Sequence, residues 1–244
     1  MNPFNSVGIL TRENHIGYQT YTTSMDRPYI HINCASTADG KIALPDGGRL
    51  RISDEWDIAR VQRLRRELGS VMVGAGTVLA DDPKLCLKRE YSSKDHTINR
   101  IILDGGGKIS PDSRFLKTPG RSIVVTSPES DPAWRDGIRE AKGEVLVIDQ
   151  RSDRGGVDVN RLMDHLLKIG IDGILLEGGS KTIWEFASGG LFDRFTIYYG
   201  PLFLGGCGPA ISSGPGFQKE PLRLRLSTVV RTPGGGLLVG YEPR

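Results

Sequence analysis

From residue 27 onward, short apolar runs rich in β-branched residues alternate with longer amphipathic segments. The runs cover 29–32, 71–73, 101–103, 123–125, 145–148, 174–176 and 195–199. Most hold three to five residues and are bounded by Gly, Pro, Asp or Ser, the pattern of strands buried on both faces. Between them, segment 54–68 carries Ile58, Val61, Leu64 and Leu68 at helical spacing. Ser53 is the expected N-cap, and two acids occupy the first turn. Segments 131–141, 160–169 and 182–187 are further helices, and Gly76 to Leu79 adds a helical turn after the second run. This alternation predicts a mainly parallel sheet with helices on both faces. Near the C-terminus, runs 222–230 and 237–241 flank Thr232-Pro233-Gly234-Gly235-Gly236 and predict an antiparallel hairpin added to that sheet. Residues 1–26 are polar and unpatterned, an extension ahead of a single α/β domain over 27–244.

Glycine makes up 32 of the 244 residues, and the informative ones follow strands. Run 71–73 leads into Gly74-Ala75-Gly76, where the backbone of Gly74 and Gly76 can approach a ligand phosphate at a helix start. Leu79 stands where GxGxxG would place its third glycine, so the dinucleotide fingerprint is incomplete and a tight turn explains the pair equally well. Run 174–176 leads into Glu177-Gly178-Gly179-Ser180. Ligands of parallel sheets bind beyond the carboxyl ends of strands, so Glu177 faces that crevice. Ser180 fits a cap, a phosphate contact, or both. Asp104-Gly105-Gly106-Gly107 and the loop 200–206 also follow strands. Four such loops suit one long ligand lying across the sheet edge, with the length of a dinucleotide.

The remaining composition mostly excludes. A net charge of +3 and a pI of about 8.8 are too mild and too interspersed for a nucleic-acid partner. Cys34, Cys86 and Cys207 read as free thiols of a reducing compartment, and His15, His31, His96 and His165 show no metal-ligand spacing, so no metal is expected. The N-terminus lacks the build of a signal peptide, and no apolar run approaches the about 18 residues of a membrane span. A cytoplasmic protein without a membrane partner is expected. GxSxG, GxxxxGK[ST] and the zinc-deaminase signature are absent. Asp39-Gly40 reads first as a turn. Asp81 and Asp82 are adjacent and do not face each other as an acid/base pair. Arg60, Arg63, Arg65 and Arg66 form a solvated face, from which an anionic substrate would recruit one or two.

Five segments together resemble one family: 37–43 (T-A-D-G-K-I-A), 73–83 (V-G-A-G-T-V-L-A-D-D-P), 100–104 (R-I-I-L-D), 175–179 (L-L-E-G-G) and 200–206 (G-P-L-F-L-G-G). They are similar to the riboflavin-pathway reductases. These comprise stand-alone 2,5-diamino-6-ribosylamino-4(3H)-pyrimidinone 5′-phosphate reductases and the reductase half of the bifunctional deaminase–reductase. The missing deaminase signature points to the stand-alone form. The resemblance implies a dihydrofolate-reductase-like fold, a homodimer, and NADPH as the reductant of the substrate's ribosyl group, giving a ribityl product. No 2′-phosphate site is legible, so NADH stays open.

By resemblance, Thr77 and Asp81 line the cleft between cofactor and substrate. Leu103, Asp104, Gly105, Ile148, Gly178, Gly179, Ser180 and Lys181 border the dinucleotide. Lys41 and Glu177 recognise the pyrimidine ring, and Ser53, Arg65 and Lys88 contact the ribose phosphate. Asp39 orients its loop or relays a proton. Ala38, Ser180 and Lys88 depart from the family pattern, and 1–26 has no counterpart in it. A reductase on the same scaffold acting on a pterin or another nucleotide-like ring is the alternative. A non-catalytic nucleotide-binding protein is a more distant one.

Overall fold

A computed structural model describes residues 26–92, 97–150 and 156–244; the expected extension therefore lies almost wholly outside the described residues. Nine strands form one sheet: β1 (Tyr29–Thr37), β2 (Ser70–Gly74), β3 (Asn99–Leu103), β4 (Ser122–Thr126), β5 (Glu144–Val147), β6 (Gly173–Leu176), β7 (Arg194–Gly200), β8 (Leu224–Arg231) and β9 (Leu237–Pro243). Their order is β5-β4-β3-β2-β6-β1-β7-β9-β8. The first seven in that order are parallel, and β9 and β8 close the sheet as the antiparallel hairpin. Every expected run falls in one of these strands, with ends shifted by a few residues. The helices are α1 (Glu55–Leu68), α2 (Ala75–Asp81), α3 (Pro132–Glu140), α4 (Val159–Lys168) and α5 (Ser180–Ser188). None of the described helices is long and apolar enough to cross a membrane.

The strand order fixes where a site can form. After β2 the chain steps to β3 on one side, and after β6 it crosses to β7 on the other. β2 and β6 are neighbours, so their carboxyl ends mark the point where the winding direction reverses. That is where open α/β sheets bind ligands.

One face of the sheet is a continuous apolar layer. Ile30, Ile32, Met72, Ile101 and Leu176 pack there with Leu162 and Leu166 of α4 and Phe186 of α5. The opposite face is divided. Val71, Val73, Ile102 and Val124 pack with Val78 of α2 and Ile138 of α3, and a small cluster of Ile52, Tyr198 and Leu238 lies farther along. Between these two clusters, α1 covers a polar strip.

The strip corrects two expectations about α1. Ile58, Val61 and Leu64 are only half-buried, while Asp57, Arg60 and Gln62 are buried beside Leu68. Arg60 therefore belongs to the interior and not to a solvated arginine face. The reason lies in the strands beneath, because β1 and β7 turn His31, Asn33 and Thr196 toward α1. Arg60 donates to Asp57 Oδ1 through Nε (2.9 Å) and Nη2 (2.7 Å), and through Nη2 to Asn33 Oδ1 (2.6 Å). Thr196 Oγ1 donates to the same Asn33 oxygen at 2.9 Å. Its proton is thus committed, so His31 Nε2 donates to Thr196 Oγ1 (2.9 Å), which sets the tautomer. The N-cap is corrected as well. Asp54 Oδ1 accepts the Asp57 N–H at 2.8 Å, whereas Ser53 Oγ donates to Asp57 Oδ2 at 2.6 Å.

Burial, aided by the positive charges of Arg60 and Arg194, pushes the His31 pKa down to about 3. The folded protein holds this imidazole neutral, while the unfolded chain protonates it below its ordinary value of 6.5. Stability is complete above pH 6.5 and falls as the pH drops from 6.5 towards 3. The expected loss is about 2 kcal/mol by pH 5. Denaturant unfolding at pH 7 and pH 5 checks this: His31→Gln should lose most of the difference seen in the wild type. Equal differences in both proteins would assign the loss to other groups.

Candidate active site

At the winding reversal, three glycines let two backbones meet. Gly74 closes β2 and donates its N–H to Gly178 O at 3.3 Å, one residue beyond the bond from Glu177 N to Met72 O (3.0 Å). A Cβ on Gly74 would clash with Thr182 Oγ1 of α5. One on Gly179, where φ is +83°, would stand 3.1 Å from the same hydroxyl, and one on Gly178, where φ is +153°, would stand 3.6 Å from Thr77 Oγ1. Gly179 is the N-cap of α5 and supplies no side-chain cap, so amides of the first turn are left without an intrahelical or side-chain acceptor. Gly76 faces open space in the first turn of α2. The result is a cradle of backbone N–H groups and two threonine hydroxyls, suited to an anion.

Beside this cradle, on the α1 side, Glu177 and Arg65 form a bidentate ion pair. Arg65 Nε donates to Glu177 Oε1 at 2.6 Å, Nη2 donates to Oε2, and Nη1 donates to Cys86 O at 2.8 Å. The side chains are 16% and 11% exposed. Burial works against the Arg65 charge, but the Glu177 carboxylate outweighs it and holds the guanidinium above its ordinary pKa. The structure thus joins two residues that the resemblance gave separate tasks. The Cys86 carbonyl is a third member with no signal in the sequence. Gln62 is another: its Oε1 accepts the Lys88 N–H at 2.8 Å, tying the loop before Lys88 to α1 and leaving the Lys88 side chain exposed.

On the other side of β6, past the end of β1, Asp39 clasps two loops. It accepts from Thr37 Oγ1 (2.6 Å), Leu204 N (3.1 Å) and Gly205 N (2.8 Å). The Thr37 hydrogen bond, joined by the Leu204 amide, holds its pKa down at about 2. A group so acidic orients a loop and does not carry a proton near neutrality. The loop it orients presents Lys41, whose backbone bonds to Thr37 through both N–H and C=O (3.0 and 2.8 Å). No described residue accepts a hydrogen bond from the Lys41 ammonium.

Comparison with known proteins shows the family. Residues 28–238 match the family model described as the RibD C-terminal domain. The chain belongs to that family. It is 35% identical over 204 residues to the 2,5-diamino-6-ribosylamino-4(3H)-pyrimidinone 5′-phosphate reductase of Archaeoglobus fulgidus, covering 80% of this chain and 90% of the relative. It is also 35% identical over 218 residues to the reductase of the same name from Methanothermobacter thermautotrophicus, covering 88% and 98%. Among solved structures, a deaminase/5-amino-6-(5-phosphoribosylamino)uracil reductase from Thermotoga maritima superposes with a TM-score of 0.71 at 29% identity. That match covers 89% of this chain and 57% of the other, so the chain spans little more than half of the bifunctional protein. The fold is the dihydrofolate-reductase-like one that the resemblance implied. The chain is an oxidoreductase, and its relatives serve riboflavin biosynthesis.

The other expected residues follow strand ends or lie on α2 and α5, in differing states. Asp104 is buried, and its Oδ2 accepts the N–H groups of Lys108 (2.6 Å) and Ile109 (2.8 Å). Its carboxylate holds its own loop, and its backbone N–H donates to Val125 O at 2.8 Å. The Gly105 carbonyl accepts from Ser127 Oγ at 2.8 Å. Ile148 is buried in the core just past β5. Ser180 O accepts the Ser213 N–H at 3.0 Å, and Lys181 is exposed on α5. Asp81, in the last turn of α2, pairs with Arg49 at 3.2 Å. Gly74→Ala tests the cradle. Its methyl must displace buried Thr182, at a cost of about 1–3 kcal/mol. A lowered melting temperature is expected, and an unchanged one would show that α5 yields freely.

Proposed function

We propose that the protein reduces the ribosyl group of 2,5-diamino-6-ribosylamino-4(3H)-pyrimidinone 5′-phosphate to ribityl, with NADPH as reductant, in riboflavin biosynthesis. The observation that carries this reading is the glycine cradle opening α5 directly beside the Arg65–Glu177 pair. One feature suits a dinucleotide and the other a zwitterion-like substrate with an anion and ring donors. The bound cofactor supplies hydride to the sugar carbon C1′.

The cradle fits a pyrophosphate because Gly74, Gly178 and Gly179 leave room for close backbone approach and the α5 N-terminus favours negative charge. Ser180 and Lys181 add a hydroxyl and a cation at the same end. The edge formed by 103–105 extends the track toward β5. Glu177 keeps carboxylate lone pairs for pyrimidine N–H groups after receiving Arg65, and Lys41 brings a free ammonium to a ring carbonyl. Arg65, steadied by Glu177, and exposed Lys88 serve the phosphate. Asp39 acts by holding the Lys41 loop against residues 204–205.

The homodimer is part of this proposal. Seven of the nine large apolar side chains exposed among the described residues lie between 202 and 237, including Leu226 and Val229 (each 56% exposed). Four of them, Leu226, Val229, Val230 and Leu237, lie on the hairpin itself, where β8 is the edge strand of the sheet. Such a concentration marks an interaction face. Light scattering should find a dimer at micromolar concentration and a monomer after Leu226→Asp with Val229→Asp. A monomeric wild type would remove the dimer from the proposal.

The activity is tested by the nicotinamide absorbance of NADPH mixed with the protein and the pyrimidinone phosphate. Substrate-dependent loss of absorbance is expected, with kcat/KM reduced about 100-fold in Glu177→Gln. NADPH binding without consumption would leave the scaffold standing and overturn the substrate assignment.

A further inference from the structure

Ser53 stands at a cavity of about 350 Å³ between the start of α1, the loop after β7 and the hairpin turn. Asp54, Glu55, Arg51, Tyr198 and Leu202 share its lining. The charge there is wrong for a phosphate. Arg51 is offset by Glu55, with which it pairs at the surface. The Asp54 carboxylate already accepts from Thr232 Oγ1 (2.7 Å), Gly234 N (3.1 Å) and Asp57 N (2.8 Å), and it adds negative charge without adding a donor.

The Ser53 hydroxyl is also spoken for on its donor side. Its partner Asp57 is 1% exposed and forms an ion pair with Arg60, which is 5% exposed. An ionised carboxylate only accepts, so Ser53 must supply the proton of the 2.6 Å bond to Asp57 Oδ2. Arg60 in turn donates to Asn33 Oδ1 at 2.6 Å, so Asp57 is held through Oδ1 by an anchored guanidinium while Oδ2 receives the serine. What Ser53 can offer a ligand is a lone pair.

We propose that Asp57, clamped by Arg60, is a positioning residue that makes Ser53 a hydrogen-bond acceptor toward this cavity, so that Ser53 recognises a sugar hydroxyl of the substrate and leaves the phosphate to Arg65 and Lys88. The substrate identity in this statement rests on the proposed reductase reading. The acceptor state of Ser53 does not.

The experiment compares the pyrimidinone ribosyl phosphate with its dephosphorylated riboside in NADPH oxidation by the wild type, Ser53→Ala and Lys88→Ala. Ser53→Ala should raise KM about tenfold on both substrates with kcat little changed, the factor for one lost hydrogen bond. Lys88→Ala should raise KM only on the phosphorylated one. A Ser53→Ala penalty that vanishes on the riboside would overturn the proposal and return Ser53 to the phosphate. Asp57→Asn probes the positioning role, because its amide can donate to Ser53 and free the hydroxyl proton. It should raise KM as Ser53→Ala does. Calorimetric titration with inorganic phosphate gives a readout without turnover. Ser53→Ala should leave its affinity unchanged and Lys88→Ala should weaken it, whereas weakening by Ser53→Ala contradicts the acceptor role. Absence of NADPH oxidation by the wild type on both substrates would remove the reductase reading, and a loss of phosphate affinity in Ser53→Ala would still overturn the acceptor role.

Discussion

The backbone contact between Gly74 and Gly178 is the constraint on which the rest of the site depends. Two adjacent parallel strands end there, and their helices leave toward opposite faces of the sheet. A side chain at Gly74 would push against Thr182 and so against the first turn of α5. Without one, the α5 amides, the Thr77 hydroxyl and the ends of β2 and β6 share one small space. The neighbouring residue Glu177 then has its direction settled by the strand itself: its N–H is bonded to Met72 O, and its carboxylate extends toward α1. The cradle and the ion pair are consequences of a single close approach.

The polar strip under α1 is a second device, and its energetic logic differs. Burying Asp57 and Arg60 together contributes little net stability compared with an apolar pair of similar volume, whereas removing one partner alone costs several kcal/mol. Every polar atom named in the strip has a partner, from Ser53 through Asp57, Arg60, Asn33 and Thr196 to His31. A fully satisfied network of this kind fixes orientation. It holds α1 in one rotation over the sheet, which sets both Ser53 at its start and Arg65 near its end.

The parallel sheet, its helices and the C-terminal hairpin were legible because short β-branched runs between turn residues carry their own signal. The glycine loops were legible as loops, and their placement at strand ends pointed to the edge where β2 and β6 meet. What escaped the sequence was long-range or two-sided. Arg65 and Glu177 lie 112 residues apart, and nothing local tells that they touch. The face of α1 was misread because spacing rewards Ile58, Val61 and Leu64, while the strands beneath present His31, Asn33 and Thr196. Ser53 and Asp54 are adjacent and both can cap a helix, so only the direction of the Asp57 N–H separates them. The resemblance assigned Asp104 to the dinucleotide border, and nothing local showed that its carboxylate accepts from the amides of its own loop.

The Arg65–Glu177 pair can be reconciled with substrate binding by counting partners. Arg65 spends three donor contacts on Glu177 and Cys86 out of five N–H groups, leaving two for a ligand anion. Glu177 receives two and retains lone pairs on both oxygens. Neither residue must abandon the other to engage a ligand. A phosphate reaching Arg65 brings negative charge close to Glu177, an unfavourable approach in a partly dry site. Ring N–H groups donating to Glu177 offset that cost by drawing its charge away. On the proposed reading, the pair favours a molecule carrying both groups at the right separation over a free phosphate or a free pyrimidine. That selectivity arises from the ion pair itself, since either residue alone would accept a simpler ligand.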